Sequence, residues 1–367
     1  MKAVLQDLNA EELAALAAEL GEPRYRAGQI ARAIARGARI AEFSELPAAL
    51  RRNLSERFED EPVRIAEVLT AADGTEKYLF SLADGALIEG VLMRYKYGNT
   101  QCVSTQGGCR MNCAFCAAGL GGLGRDLSAG EILAQVLAVN ARAGGTPAKR
   151  AVTNLVLMGS GEPLDNYENV VKFLRLVTAE GGLHISPRNI SLSTCGIVPK
   201  MLALADEGIP VNLTVSLHAV TDEERARTMP VAKAYSIAEI LKACSYYFEK
   251  TGRRYIFEYA LIEGENADRE HAERLAALLK GRPCHVNLIR LNEVKERALA
   301  GTDEKTAYRF LGELEKRGVS ATLRRRTGAE IGGACGQLRA ARLAAGGQGN
   351  APAAENRAPS AEKSEKD

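Results

Sequence analysis

Three cysteines, Cys109, Cys113 and Cys116, stand in the segment GGCRMNCAFCAAG with C-x3-C-x2-C spacing. Three thiolates on one short loop can each ligate one iron of a four-iron cluster, whose usual complement is four cysteines. One iron is then left open to a small molecule. A zinc knuckle is the competing reading, but zinc sites favour pairs of C-x2-C units or mixed Cys/His sets. No fourth Cys or His stands within this loop. Two further cysteines draw notice: Cys102, seven residues before the cluster loop, and Cys335, set among small residues in GGACGQL. A thiol on a backbone of small residues is accessible to a substrate, although a lone cysteine is more often a small buried hydrophobe.

These residues need elements to position them. From residue 99 onward, short β-branched runs (VTNLVLM, NISLST, VNLTVSL, RYIFEYALI, CHVNLI) alternate with helical segments expected to begin near Ser128, Asn166, Pro199, Ser236, Asp268 and Thr302. Such alternation indicates βαβ units around a parallel sheet. About six units predict an α/β fold with a partial (β/α)6 TIM-like barrel over residues 99–343 rather than the full eight. Residues 1–60 read as a small helical domain, with Leu13, Leu16 and Leu20 at helical spacing and Gly21 as a stop;. Residues 61–98 read as a β extension, with IAEVLT and KYLFSL separated by the turn Ala72-Asp73-Gly74;. Residues 344–367 hold little to bury and are expected to be disordered;.

Barrel folds keep their sites at the C-terminal ends of strands. There stand Gly161 and Glu162 in GSGEP, Ser193 in SLSTCG, and Ser216-Leu217-His218. Taken singly, GSGEP is an ordinary strand-to-helix turn and His218 a structural hydrogen-bonding residue. Their positions on successive units after the cysteine loop favour cofactor contacts. Cys195, Cys244 and Cys284 are read as structural.

Composition sets the outer limits. The 367 residues are 46% hydrophobic and 26% charged, with a formal net charge of +2, so bulk charge does not announce a nucleic-acid partner;. Locally, Arg24, Arg26, Arg32, Arg36 and Arg39 fall between Pro23 and Ala41 with no acid among them. That stretch is either an RNA-phosphate contact or a solvated helix face. No secretory leader or membrane-length apolar run is visible, which predicts a cytoplasmic protein without a membrane partner.

The cysteine spacing, with Phe115 before the last cysteine, resembles the radical S-adenosylmethionine (SAM) superfamily. The ordered motifs RYRAGQI, IEGVLM, CVSTQGGCRMNCAFCAAG, GRDLSAGEI, LMGSGEPLDN, SLSTCG, VSLHA, MPV, YYFEKTGRRYIFEYALI, HVNLI and ACGQL resemble its RlmN-type dual-specificity adenine-2 RNA methyltransferases from about Leu8 to Leu343. The resemblance implies one 4Fe-4S cluster on Cys109, Cys113 and Cys116, and two SAM molecules per turnover. The first would methylate the Cys335 thiol. The second, chelating the open iron, would yield a 5′-deoxyadenosyl radical that takes a hydrogen atom from that S-methyl group. The resulting methylene radical would add to carbon 2 of adenine, a poor nucleophile that ordinary displacement cannot methylate. Loss of the carbon-2 proton and attack by Cys102 on the Cys335 sulfur would then release the product and leave a disulfide.

By the same resemblance Glu89, in IEGVLM, is the proton acceptor, with Cys102 the alternative. Gly161, Glu162, Ser193, Ser216, Leu217, His218 and Asn292 would contact SAM. The implied substrates are nucleotide 2503 of 23S ribosomal RNA and nucleotide 37 of some transfer RNAs. A low-potential electron donor and a disulfide reductant are also implied, and a monomer is the default state. The sequence departs from the family pattern at Arg110, where proline is frequent, at Ala118, at Glu265-Asn266-Ala267, and at Gly332-Gly333. None of these removes a ligand or a mechanistic cysteine. The rival readings are a carbon-8 adenosine methyltransferase of the antibiotic-resistance type, a radical SAM enzyme for another substrate, and an iron–sulfur RNA-binding sensor.

Overall fold

The computed structural model describes residues 2–292, 294, 296–325, 331 and 338. It begins with β1 (Ala3–Val4), α1 (Ala10–Glu19), α2 (Tyr25–Ala35), α3 (Ala48–Arg57) and β2 (Phe58–Glu59), which pairs parallel with β1. Asn9 starts α1: its Oδ1 accepts from the N–H groups of Glu11 and Glu12, and Glu12 accepts in return from the Asn9 N–H;. Gly21, at φ +71, ends that turn as its position predicts;.

Strands β3 (Val63–Thr70), β4 (Glu76–Leu82), β5 (Leu87–Tyr95) and β6 (Gly98–Cys102) run antiparallel in succession. A short ribbon of β7 (Gln106–Gly108) and β8 (Leu123–Asp126) then brackets the cysteine loop. The remaining elements are α4 (Ala129–Arg142), β9 (Asn154–Leu157), α5 (Tyr167–Thr178), β10 (Ile190–Thr194), α6 (Val198–Asp206), β11 (Asn212–Ser216), α7 (Asp222–Thr228) and α8 (Ile237–Thr251). They continue through β12 (Tyr255–Leu261), α9 (Arg269–Leu279), β13 (Cys284–Arg290), α10 (Glu304–Lys316) and β14 (Ala321–Leu323).

One ten-stranded sheet, in the order β14-β13-β12-β11-β10-β9-β6-β5-β4-β3, carries every described strand except β1, β2, β7 and β8. From β6 through β14 its neighbours are parallel, giving six βα units and a short closing strand. Among the described residues its two edges do not pair with each other, so the barrel is partial, as expected. Ser128, Asn166, Ser236 and Asp268 are N-caps of their helices. α6 starts at Val198 with Pro199 inside its first turn, and Asp303 rather than Thr302 caps α10. Helix α7, DEERART, has no apolar stripe to read and was not expected from the sequence.

The register sorts the parallel strands into two faces. Leu155, Leu157, Ile190, Leu192, Leu213, Val215, Phe257, Val286 and Leu288 are buried in the main core. The alternate residues form cross-strand rows on the opposite face. One row runs Lys77, Val91, Cys102, Val156, Ser191 and Asn212; another begins Ser216, Glu258, Asn287 and Thr322. A parallel sheet covered by packed core on both faces reads as nearly continuous apolar residues. Here one face is polar, so it lines a lumen, as the inward face of a barrel does.

Candidate functional site

The lumen gathers residues from distant parts of the chain. Val91, Met93 and Cys102 form a small apolar cluster separate from the main core, with Tyr95, Val156 and Met158 against it. Cys102 is buried at the end of β6. Glu89 lies two residues from Val91 on β5 and therefore on the same face as Cys102;. A lone glutamate on a β extension is ordinarily solvated, but Glu89 is 1% exposed. The Nζ of Lys77, itself fully buried, stands 3.2 Å from its Oε2. Lys77 reaches it diagonally from β4, where it pairs with Val91;.

Cys109, Cys113 and Cys116 follow β7 on one loop and are half-buried. The loop is tied at several points. Cys109 N–H donates to Gly122 O at 3.0 Å, Ala114 N–H to Thr228 O at 2.8 Å, and Arg297 Nη2 to Asn112 Oδ1 at 2.8 Å. Arg110, the departure from the family's frequent proline, grips Asp165 through both Nε and Nη2. Burial pushes the Cys109 and Cys113 thiols up to about 12, and each thiol's neighbours on the loop add to the rise. Drawing three protons off such thiols requires positive charge at their centre, which iron supplies. Among the described residues no three His, Cys, Asp or Glu side chains converge closely enough to hold one metal ion. A 4Fe-4S cluster takes each of three thiolates to a different iron, and this loop supplies three;. The donor set therefore fits a cluster.

Segment 103–106 crosses the mouth of the lumen beside GSGEP. A Cβ on Gly159 would come within 2.6 Å of Val103 O, and one on Gly161 within 2.8 Å of Gln106 N. Gly161 also holds φ +109, a conformation that favours glycine;. The glycines expected to admit a ligand thus first admit the neighbouring strand end. Glu162 is buried: its Oε2 accepts from Cys195 N–H at 2.7 Å and its Oε1 from Leu164 N–H at 3.0 Å. Burial still raises its pKa, because these donors offset only part of the desolvation;.

His218 sits at the end of the β11 loop with φ +59. Its Nδ1 accepts from Ala260 N–H at 2.9 Å, which puts the ring proton of the neutral form on Nε2;. Burial, with the nearby Arg225 charge adding, lowers its pKa to about 3, so it is a neutral donor at physiological pH. Phe115 of the cysteine loop meets the ring edge-on at 4.9 Å between centroids. Ser216 and Leu217 precede it, Leu217 N–H donating to Glu258 O. Ser193 lies one strand away on the lumen face and bonds the Glu258 carboxylate. Asn292 is exposed just beyond β13. Cys335 lies outside the described residues, as do Gly332, Gly333 and the segment 344–367.

Several organising residues escaped the sequence reading. Asn266, noted only as a departure, donates to His218 O at 2.9 Å and Ala260 O at 2.8 Å and accepts from Ile262 N–H. Glu258 pairs with Arg324 at 2.8 Å inside the lumen; burial raises its pKa and Arg324 opposes the rise. Gln106 donates to Asp126 and Asp165 and accepts from Glu162 N–H. Polar residues at alternate strand positions were the signal for this face. The N-terminal arginines also look different in three dimensions. Arg32 and Arg36 both pair with Glu45, Arg26 with Glu22, and Arg39 with Glu61, acids from outside the arginine-rich stretch.

Comparison with known proteins agrees with this geometry. Residues 103–276 match the family model described as "Radical SAM superfamily". A "Probable dual-specificity RNA methyltransferase RlmN" of Clostridium botulinum (strain Eklund 17B / Type B) is 49% identical, covering 92% of this chain and 96% of its own length. The protein of the same name in Clostridium perfringens (strain 13 / Type A) is 50% identical, with 92% and 97% covered. The crystal structure of a radical SAM methyltransferase from Sphaerobacter thermophilus superposes with a TM-score of 0.87 at 42% identity, covering 91% of this chain and 98% of that one. No helix among the described residues is long and apolar enough to cross a membrane.

Proposed function

The chain belongs to the RlmN family of dual-specificity RNA methyltransferases within the radical SAM superfamily, and from that premise we propose that it forms 2-methyladenosine in 23S ribosomal RNA, at nucleotide 2503, and in some transfer RNAs, at nucleotide 37. The route is an S-methylcysteine carrier and a covalent RNA–protein intermediate, with two SAM molecules consumed per turnover. The observation that carries this reading is the shared lumen face of Glu89, Cys102, Ser193 and Ser216, with the cysteine loop at its mouth.

When bound, the 4Fe-4S cluster and SAM supply one-electron cleavage of a sulfonium and hence a carbon radical. The remaining work falls to side chains. Cys109, Cys113 and Cys116 would hold three irons of that cluster. Glu162 would accept from the cofactor's ammonium group with lone pairs beyond its two backbone bonds, and His218 would donate from Nε2. Gly161, Ser193, Ser216, Leu217 and Asn292 complete the SAM contacts. Cys335 carries the methyl group. Glu89, kept in the lumen by Lys77, accepts the carbon-2 proton, and Cys102 attacks the Cys335 sulfur to free the methylated RNA. The disulfide so formed requires an external thiol reductant, and the cluster a low-potential one-electron donor. The protein acts as a cytoplasmic monomer, with residues 1–60 contributing to RNA contact.

Nucleoside mass spectrometry tests this reading. The anaerobically reconstituted protein is incubated with SAM, a reductant and unmodified 23S RNA. A 2-methyladenosine peak is the expected result, lost completely in Cys335→Ala. An 8-methyladenosine peak would move the protein to the carbon-8 reaction. 5′-Deoxyadenosine without either product would mean another substrate.

A further inference from the structure

Among the described residues, Arg225 is the bulkiest fully buried side chain, at 0% exposure. It lies on α7, the helix whose final residue, Thr228, accepts from Ala114 N–H in the cysteine loop. Its Nε donates to Leu217 O at 3.2 Å, and its Nη2 to Cys195 O at 2.5 Å and Ser216 O at 3.0 Å. The guanidinium thus clamps the ends of β10 and β11 from behind. Its Nη1 is buried and has no hydrogen-bond partner among the described residues. The charged or ionisable groups that act on it favourably are the thiols of Cys195 and Cys113 and the Asp222 carboxylate. Asp222 is itself engaged with Ile237 N–H. Arg225 is also the cation acting on the Cys113 thiol. A buried guanidinium fork with one arm unmet is costly unless something in the working protein meets it.

We infer that Arg225 is a positioning residue for the cluster, placing a fixed positive charge and an N–H donor behind the Cys113 corner and raising the cluster's reduction potential. The inference rests on the assignment of a cluster to Cys109, Cys113 and Cys116. Its physical basis is that reduction adds negative charge to the cluster. Net charge and hydrogen bonds to its sulfurs set the potential. A cation held in a low-dielectric interior stabilises the reduced form more than the oxidised form. Asp222, hydrogen-bonded to Ile237 N–H at the start of α8, offsets part of this charge, so the net effect on the cluster is what the measurement reads.

The test is a redox titration of the reconstituted holoenzyme, followed by the electron paramagnetic resonance of the reduced cluster. Arg225→Met is expected to lower the reduced-to-oxidised ratio at a given potential by roughly tenfold, equal to about 59 mV for a one-electron couple. Arg225→Lys keeps the charge and is expected to stay near the wild-type potential, although it cannot bridge three carbonyls. An Arg225→Met cluster with full iron and sulfide content and an unmoved potential would overturn the inference. Should Arg225→Met fail to fold, pulsed resonance on the wild type grown with 15N-guanidino arginine decides. A 15N coupling that survives Arg110→Lys and vanishes in Arg225→Lys is expected; no coupling overturns it. A wild-type protein that binds no cluster at all would instead refute the cluster assignment, a failure distinct from either outcome.

Discussion

Lys77 and Glu89 form an ion pair, 3.2 Å between Nζ and Oε2, with both side chains withdrawn from water. Removing one partner from such a pair leaves an uncompensated charge in the interior, at a cost of about 3–5 kcal/mol. Lys77→Met is therefore expected to lower unfolding stability by that amount in anaerobic urea titration. Lys77→Met with Glu89→Gln, which removes both charges, is expected to recover most of the loss. A single variant within about 0.5 kcal/mol of wild type, the range of ordinary surface substitutions, would show that the pair is not isolated from solvent.

The imidazole of His218 is held neutral by burial, its pKa brought down to about 3. In the unfolded chain it titrates near ~6.5. Between these values the unfolded state binds more protons, so stability falls as pH drops through that window. The slope is at most about 1.4 kcal/mol per pH unit. His218→Asn is expected to flatten this part of the stability–pH curve. Nitrogen NMR of the wild type should show the Nε2–H tautomer unchanged from pH 8 to pH 5, and a ring titrating near neutrality would refute the assignment.

Asn266 fastens the strained His218 backbone to Ala260 and Ile262 through three hydrogen bonds. Residues that orient a ligating side chain typically change affinity by about 10–100-fold when removed. Asn266→Ala is expected to weaken SAM binding by roughly tenfold in calorimetry, with cluster content unchanged. Undiminished affinity would mean that the 218–220 turn holds its shape without it.

Arg32 and Arg36 share Glu45 as their acidic partner. Phosphate binding must compete with that carboxylate. The double change to alanine is expected to weaken RNA binding and reduce its salt slope by up to about two ions. Glu45→Gln is expected to do the opposite, with tighter binding at low salt. If neither variant alters affinity in fluorescence anisotropy, residues 1–60 do not contact phosphates through these arginines.

Much of the fold was legible because its signals are local. The side chains of Ser128, Ser236 and Asp268 cap helices where the sequence places them, and the cores of β9 to β13 fall within their β-branched runs, whereas β14 has no such run. The cysteine spacing was legible for the same reason. What escaped was set by register. Glu89 reads as a surface group until β4 and β5 pair and bring Lys77 beneath it. Arg225 sits in a helix of seven mostly charged residues whose burial depends on the loop above and the strand ends below. Asn266 reads as a turn residue until the His218 carbonyl arrives from 48 positions away.

Strand β6 is paired on both sides, to β5 and to β9. The backbone ladder that aligns the cofactor strands therefore continues without interruption into the extension bearing Glu89. The separation of Glu89 from the strand ends that bear Ser193 and Ser216 is therefore written into folding itself, with one continuous sheet between them. A chain shortened to begin at residue 99 would lose Glu89 along with the cover of its own sheet edge, and that edge would become a template on which further chains could add.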